Sequence, residues 1–380
     1  MAIDKVTTAS IEDANITTAK LAYEAAPFRN IIINGDMSLA QRGTSFTSNG
    51  YNLDRFTMDE STDGAVTVTQ DTTVPSGQGF AKSLKVDVTT ADSSIAAAQY
   101  CGFTQFIEGQ MLQYVKYGTS SAESLTLSFW VRSTKTGTYC VRFVKEAGSG
   151  TRYECPIEYT ISSSDTWEKK TITLSPTAGS TSLITATAGA IVNSNASGFR
   201  VFWTLAAGTD YHGTNNTWTS TSDRLSTSNQ VNFLDNTSNN FYITGVQFET
   251  GTSASDFEFL PRDVNTTRCQ RYYQKSYDLD TAPGTATDSG VGWNGTSGDS
   301  GGNAAFLPPF KTTMRAAPTV TGYARDGTSG QGSYFRNGAS GNGTLAAHMY
   351  GQNSVSIYVG TGSAWSTSTI AAHYVLSAEL

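Results

Sequence analysis

Residues 125–133, Leu-Thr-Leu-Ser-Phe-Trp-Val-Arg-Ser, place Leu125, Leu127, Phe129 and Val131 at every second position. A period of two puts them on one face of a β-strand. Shorter alternating or β-branched runs recur at 65–69, 84–88, 139–144, 153–161, 172–174, 199–205 and 241–248, with turn signals at short intervals between them. Many short strands with frequent turns predict a β-sandwich over residues 27–262. The composition agrees, with 36 Gly, 11% aromatic residues, many Thr, Ser and Asn, and only 15% charged residues. Thr and aromatics fit a pleated surface, and Gly and Asn supply turns. One segment departs from the pattern: 108–115, Glu-Gly-Gln-Met-Leu-Gln-Tyr-Val, reads as a short helical turn in a connection.

The 380 residues allow two or three domains. A net charge of -7 with no run of Lys or Arg argues against a nucleic-acid partner. No apolar run approaches the roughly 18 residues of a membrane span, so no membrane insertion is expected. The opening Met-Ala-Ile-Asp-Lys-Val lacks a secretory apolar core, which predicts synthesis in a cytoplasm where the chain stays until released. The four cysteines, Cys101, Cys140, Cys155 and Cys269, and three histidines show no metal-ligand spacing. Cys140 and Cys155 flank a turn at 147–150 and are expected to face each other within a residue, as two buried thiols in preference to a disulfide.

Residues 6–25 read as pentads, VTTAS, IEDAN, ITTAK and LAYEA, with Val6, Ile11, Ile16 and Leu21 at every fifth position. Five matches neither 3.6 nor 2, and about twenty residues cannot bury these aliphatics alone. They predict an anchor or oligomerisation segment over 1–26 that pairs with copies of itself or with another protein, the competing reading being an unpaired tail. At 263–276 the pattern turns helical, with Asp263 as N-cap of a linking helix. A second β-domain is expected over 277–380, with a Gly-rich loop at 290–302 and a strand around 356–359.

Three sets of strings carry a family resemblance. The first is Ile31-Ile32-Ile33-Asn34-Gly35, Gln41-Arg42-Gly43 and Tyr51-x-x-Asp54-Arg55-Phe56. The second is Val246-Gln247-Phe248-Glu249 with Phe257-Glu258, and the third is Cys269-Gln270-Arg271-Tyr272-Tyr273. Together they resemble the carbohydrate-binding, jelly-roll modules of bacteriophage tail fibres and the segment that follows them. Met314-Arg315-x-x-Pro318-Thr319 and the Ala-Glu-Leu at 378–380 are similar to distal domains of such fibres. Many relatives carry a Trp before Gln-Arg-Gly, where this chain has Leu39-Ala40. The resemblance implies an all-β homotrimer on the virion: a short anchor, a jelly-roll sandwich, a linking helix and a distal β-domain. It implies attachment to another virion protein, of tail or capsid, through the N-terminus, with Val264, Tyr272 and Tyr273 near a threefold axis. By family analogy alone it allows a structural calcium, which no Asp-x-Asp-x-Asp-Gly loop supports; no cofactor is expected.

Enzyme signatures are weak. The Gly-rich runs lack the Gly-Lys-Ser/Thr ending of a phosphate loop, and no Gly-x-Ser-x-Gly elbow with a His partner is visible. Two suitably spaced carboxylates would suffice for glycan cleavage, so a polysaccharide depolymerase stands as an alternative. Binding is better supported, because sugars are held by aromatic faces and polar side chains on loops over a rigid scaffold. Candidate glycan-binding residues are Tyr211, His212, Asn215 and Trp218 on one loop, and Trp293, Asn294, Tyr323, Arg325, Tyr334, Arg336 and Trp365 in the distal domain. The competing reading of each aromatic is packing in a β-core or subunit interface. The expected function is non-enzymatic attachment of a phage fibre to a host-surface glycan; a capsid-mounted head fibre or decoration protein is the nearest alternative.

Overall fold

The computed structural model describes residues 28–47, 49–146, 151–296, 303–336, 339–360 and 368–380. Val6, Ile11, Ile16, Leu21 and Trp365 lie outside the described residues.

Among the described residues, twelve strands build the sandwich. The first six are β1 (Ser45–Phe46), β2 (Gly50–Tyr51), β3 (Thr57–Ser61), β4 (Ala65–Asp71), β5 (Ser83–Thr90) and β6 (Tyr100–Glu108). The others are β7 (Leu125–Ser133), β8 (Gly137–Lys145), β9 (Tyr153–Ile161), β10 (Glu168–Leu174), β11 (Ser197–Ala207) and β12 (Asn240–Thr250). They form two six-stranded sheets, ordered β1-β4-β5-β12-β7-β10 and β2-β3-β6-β11-β8-β9. The alternation of β7 holds: Leu125, Leu127, Phe129 and Val131 are buried in the common core. At its centre Trp203 stacks on Phe103, with ring centroids 5.3 Å apart at 9°, and meets Phe129 edge-on at 6.2 Å. Each such buried ring contributes about 1.5–3 kcal/mol by leaving water. Residues 109–115 form a 3₁₀ turn, as expected.

The cysteine expectation fails on register. β8 and β9 pair Cys155 with Phe143 and Cys140 with Glu158. The two thiols are three positions apart, an odd number, and therefore point to opposite faces. All four cysteines are free and buried.

The helix α1 runs Arg262–Gln270, shorter than expected, with Pro261 rather than Asp263 at the cap. Asp263 falls in the first turn, where its charge suits the helix dipole. The Thr266 and Thr267 hydroxyls donate back to the Arg262 and Asp263 carbonyls, at 2.7 and 2.9 Å. Residues 273–275 are a strand, β13 (Tyr273–Lys275), instead of a continued helix. It belongs to a distal sheet with β14 (Gly292–Thr296), β15 (Asn303–Phe306), β16 (Thr319–Tyr323), β17 (Gln331–Arg336), β18 (Ala339–His348), β19 (Ser356–Gly360) and β20 (Ser368–Ser377). β20 is the hub, pairing β13 and β16 through residues 373–377 and β14 and β17 through 368–372. Its even positions Ile370, Ala372, Tyr374 and Leu376 join Phe306, Met314, Val355, Ile357 and Val359 in a second core.

The motif strings meet where the sandwich joins this sheet. Asn34 is pinned by its amide to the Leu39 and Asp54 carbonyls, at 2.9 and 3.1 Å. Gly35 has no room for a side chain, since a Cβ would stand 2.0 Å from the Val246 carbonyl oxygen. The buried Asp54 carboxylate accepts the Gln41 backbone N–H at 2.7 Å and its side-chain amide. The Gln41 amide also donates to the Tyr273 carbonyl at 3.2 Å, and the Gln41 carbonyl accepts from Lys275 Nζ at 2.7 Å. Arg42 and Arg55 both pair with Glu379, while Arg42 stacks on Tyr273 at 3.7 Å and Arg55 on Tyr272 at 3.5 Å. Buried Glu108 accepts from Arg271 at 2.7 and 2.8 Å and from the Tyr272 hydroxyl at 2.5 Å. Leu39 packs with Ile33, Cys269, Tyr272 and Leu380, so this position serves packing here. Tyr272 and Tyr273 are thus spent inside the chain, and neither is available at a subunit interface.

Candidate functional site

The strongest surface feature sits on the odd face of β20. Trp293 of β14 lies opposite Ala371, and Phe335 of β17 opposite Thr369. Directly opposed residues share a face, and the small side chains between them let the two rings meet across β20. Their centroids are 5.5 Å apart at 18°, and Trp293 remains 52% exposed. The Arg325 guanidinium stands 5.4 Å from the Trp293 ring and 5.2 Å from the Phe335 ring. Two of its nitrogens donate to Asp288. Those hydrogen bonds hold the Asp288 carboxyl below its usual range. Beyond Arg325, Ser333 Oγ accepts the Arg325 backbone N–H at 3.1 Å, and the Asn342 amide donates to Asp326 at 2.7 Å. The result is a half-bare aromatic platform with a cation on one side and two carboxylates at its rim.

The platform unites Trp293 and Arg325 of the expected residues and leaves the others elsewhere. Asn294, one position along β14, faces the opposite side and donates to the Ala305 carbonyl. Tyr334 is half-buried against the distal core. Tyr323 pairs with His373 and meets the edge of Tyr277 at 6.1 Å. Arg336 ends β17 opposite Ala339. In the sandwich Trp218 is only 1% exposed and donates its indole N–H to the Ser175 carbonyl at 2.8 Å, so it is a core residue. Asn215 accepts the Glu158 backbone N–H at 3.0 Å, and His212 contacts the Ala207 carbonyl at 3.3 Å. Tyr211 lies half-exposed at the rim of a separate cleft on the second sheet. Val264 is half-exposed on α1, beside Thr267, Arg268, Arg271, Thr312 and Thr313 in a groove of about 430 Å³.

Asp288 is a platform residue that the sequence reading missed, and Phe335 lies within a candidate stretch from which Tyr334 and Arg336 are the residues expected to bind. Tyr334-Phe335 is a visible aromatic pair, but which member faces outward depends on the register of β17 against β20. Asp288 comes from the segment 276–288, whose Thr287 carbonyl contacts His373 Nε2 at 2.9 Å. Among the described residues no group of three or more His, Cys, Asp or Glu side chains is placed to hold a metal ion, and no helix is long and apolar enough to cross a membrane.

No family model and no curated protein matches this sequence. Among solved structures, the enzymatically active domain of bacteriophage CBA120 tailspike protein 4 aligns at 15% identity with a TM-score of 0.33, over 60% of this chain and 22% of that one. The family 11 carbohydrate-binding module of the Clostridium thermocellum cellulase Lic26A-Cel5E aligns at 9% with a TM-score of 0.28, over 56% and 98%. A tandem pair of family 22 carbohydrate-binding modules from Paenibacillus barcinonensis Xyn10C aligns at 9% with a TM-score of 0.29, over 93% and 99%. At such scores the reading of function rests on this chain's own residues.

Proposed function

We propose that this chain is a phage virion fibre protein that attaches to a host-surface glycan without cleaving it. The observation that carries the reading is the Trp293–Phe335 platform beside the Arg325–Asp288 pair. An exposed indole face stacks against the apolar face of a sugar ring, and adjacent donors and acceptors select its hydroxyls. The platform stands on paired strands, so little order must be gained on binding. Cleavage calls for a carboxylic acid that stays protonated near neutral pH, beside a second carboxylate. Both rim carboxyls are pulled the other way, Asp288 by Arg325 and Asp326 by the Thr328 N–H and the Asn342 amide. The fibre strings of the sequence support a virion role, and the pentads support a parallel homotrimer anchored to another virion protein. Three platforms per fibre turn weak contacts into firm attachment.

The test is competition for adsorption. Purified wild-type protein is expected to block phage adsorption to its host saturably and to leave the purified polysaccharide at its original length. Trp293→Ala is expected to weaken the block by about tenfold or more, given one stacking contact of roughly 0.5–1.5 kcal/mol per subunit multiplied by avidity. Equal blocking by wild type and variant removes the platform from the account. Shortened polysaccharide replaces attachment with depolymerisation.

A further inference from the structure

The outward face of the second sheet departs from the polar surface expected of a sandwich. Phe202 of β11 stands between Thr104 of β6 and Arg142 of β8, and Arg200 between Phe106 and Val144. Gly102 makes this possible, because a Cβ there would lie 2.4 Å from the Phe202 ring. Tyr211, Asp223 and Leu225 from the connection after β11 wall the face on one side. Asp59 and Tyr100 close another, with Tyr100 donating to Asp59 at 2.9 Å and meeting Tyr211 edge-on at 5.1 Å. The enclosed cleft holds about 270 Å³, room for a single sugar ring.

Its charges are unequally matched. Buried Glu154 accepts two bonds from Arg142 and one each from the backbone N–H groups of Asp223 and Arg224, and Arg152 pairs with it at 2.9 Å without a hydrogen bond. Asp223, on the rim, lies 3.4 Å from Arg142 and 3.8 Å from Arg152. Arg152 lies near two carboxylates, whereas Arg200 is more deeply buried and pairs with one, Glu146. The buried Arg200 Nε is 3.0 Å from Glu146, in an ion pair whose geometry makes no hydrogen bond. The Arg200 side chain is only 13% exposed, lying over the Phe106 ring at 5.2 Å. Burial, with Arg142 and Arg152 nearby, brings the guanidinium down to about 10, so its charge is under-compensated in spite of Glu146. An arginine at a cleft wall whose buried Nε makes no hydrogen bond keeps donors for a carboxylate.

We infer that this cleft takes an acidic sugar residue, its carboxylate received by Arg200 and its ring set against the Tyr100–Tyr211 wall. This rests on the glycan-attachment reading but on other residues, so the two can fail separately. The full-length chain would be titrated by calorimetry with a glucuronic-acid disaccharide, with sialyllactose, and with the carboxyl-reduced form of each. At least one acidic probe is expected to bind about tenfold or more tighter than its reduced form. Raising the salt concentration is expected to weaken only the acidic probe. Arg200→Gln should abolish the preference, and Tyr211→Ala, at the open rim, should weaken binding while preserving the melting temperature. Trp293→Ala should leave it unchanged. Equal binding of acidic and reduced forms, or no binding of either acidic sugar, overturns the inference without recourse to a variant. Should a preference survive in a folded Arg200→Gln protein, the carboxylate is not held by Arg200.

Discussion

Trp218 and Trp293 occupy similar settings in the sequence, each among Asn, Gly and Thr, and end in opposite roles. Trp218 is enclosed by the sandwich core with its N–H satisfied, whereas half of Trp293 faces solvent. Trp218→Ala should therefore cost about 3–5 kcal/mol in chemical denaturation, a cavity effect. Trp293→Ala should stay within about 0.5–1 kcal/mol of wild type, so that loss of attachment without loss of stability marks a contact residue. His373 makes a second prediction at this scale. It is buried, stacked on Tyr277 at 3.8 Å, and contacts Ser276 Oγ and the Thr287 carbonyl at 2.9 Å each. Burial lowers its pKa in the folded chain below the ordinary histidine value of about 6.5. The unfolded chain then binds the extra proton first. Its contribution is fully present above the unfolded pKa and is lost as pH falls from about 6.5 toward the folded value. Denaturation midpoints between about pH 7 and 5 should fall in wild type and fall less in His373→Gln.

Strand parity decides the site at the level of elements. In β17 the register against β20 sends Phe335 to the platform and Tyr334 toward the second core. Phe335→Ala should accordingly weaken glycan attachment with a small change in stability. Tyr334→Ala should lower stability by about 2–4 kcal/mol and spare attachment at temperatures where it stays folded. The reverse result would place the platform on the other face of the sheet. Alternation within one strand was legible from residues alone, as Leu125, Leu127, Phe129 and Val131 demonstrate. Pairing between strands was not, because a slip of one residue exchanges the two faces without changing either sequence. That is why Cys140 and Cys155 read as neighbours and lie apart, and why Tyr334 was preferred to Phe335. The Phe202–Arg200 cleft was hidden for the same reason, being assembled from β3, β6, β8 and β11 with only Tyr211 on a segment that reads as a binding loop.

Across the whole molecule, Gln41-Arg42, Arg55 and Tyr272-Tyr273 of the most recognisable strings meet at the joint between the sandwich and the distal sheet. Gln41 and Lys275 bridge the sandwich to β13, and Lys275 Nζ also donates to the Leu279 and Thr281 carbonyls at 2.8 and 2.6 Å. Glu379 lies between Arg42 and Arg55, and the Tyr51 hydroxyl donates to the Leu380 carbonyl at 2.8 Å. Arg55 is 1% exposed, so removing Glu379 leaves a buried cation without its counter-charge. Breaking such a pair costs about 3–5 kcal/mol, far more than a surface ion pair. Cutting the chain at residue 262 would expose the same groups at once, together with Leu39 and Ile33, so a truncated sandwich is a poor probe of where ligand binds. The informative change is Glu379→Gln, which keeps the shape and removes the charge. Wild type should unfold in one transition, because its two cores share this joint; Glu379→Gln should lower the midpoint and separate the transitions of sandwich and distal sheet in calorimetry. A single, unshifted transition in the variant would mean that the apolar contacts of Leu39, Tyr272 and Leu380 couple the domains without the ion pairs.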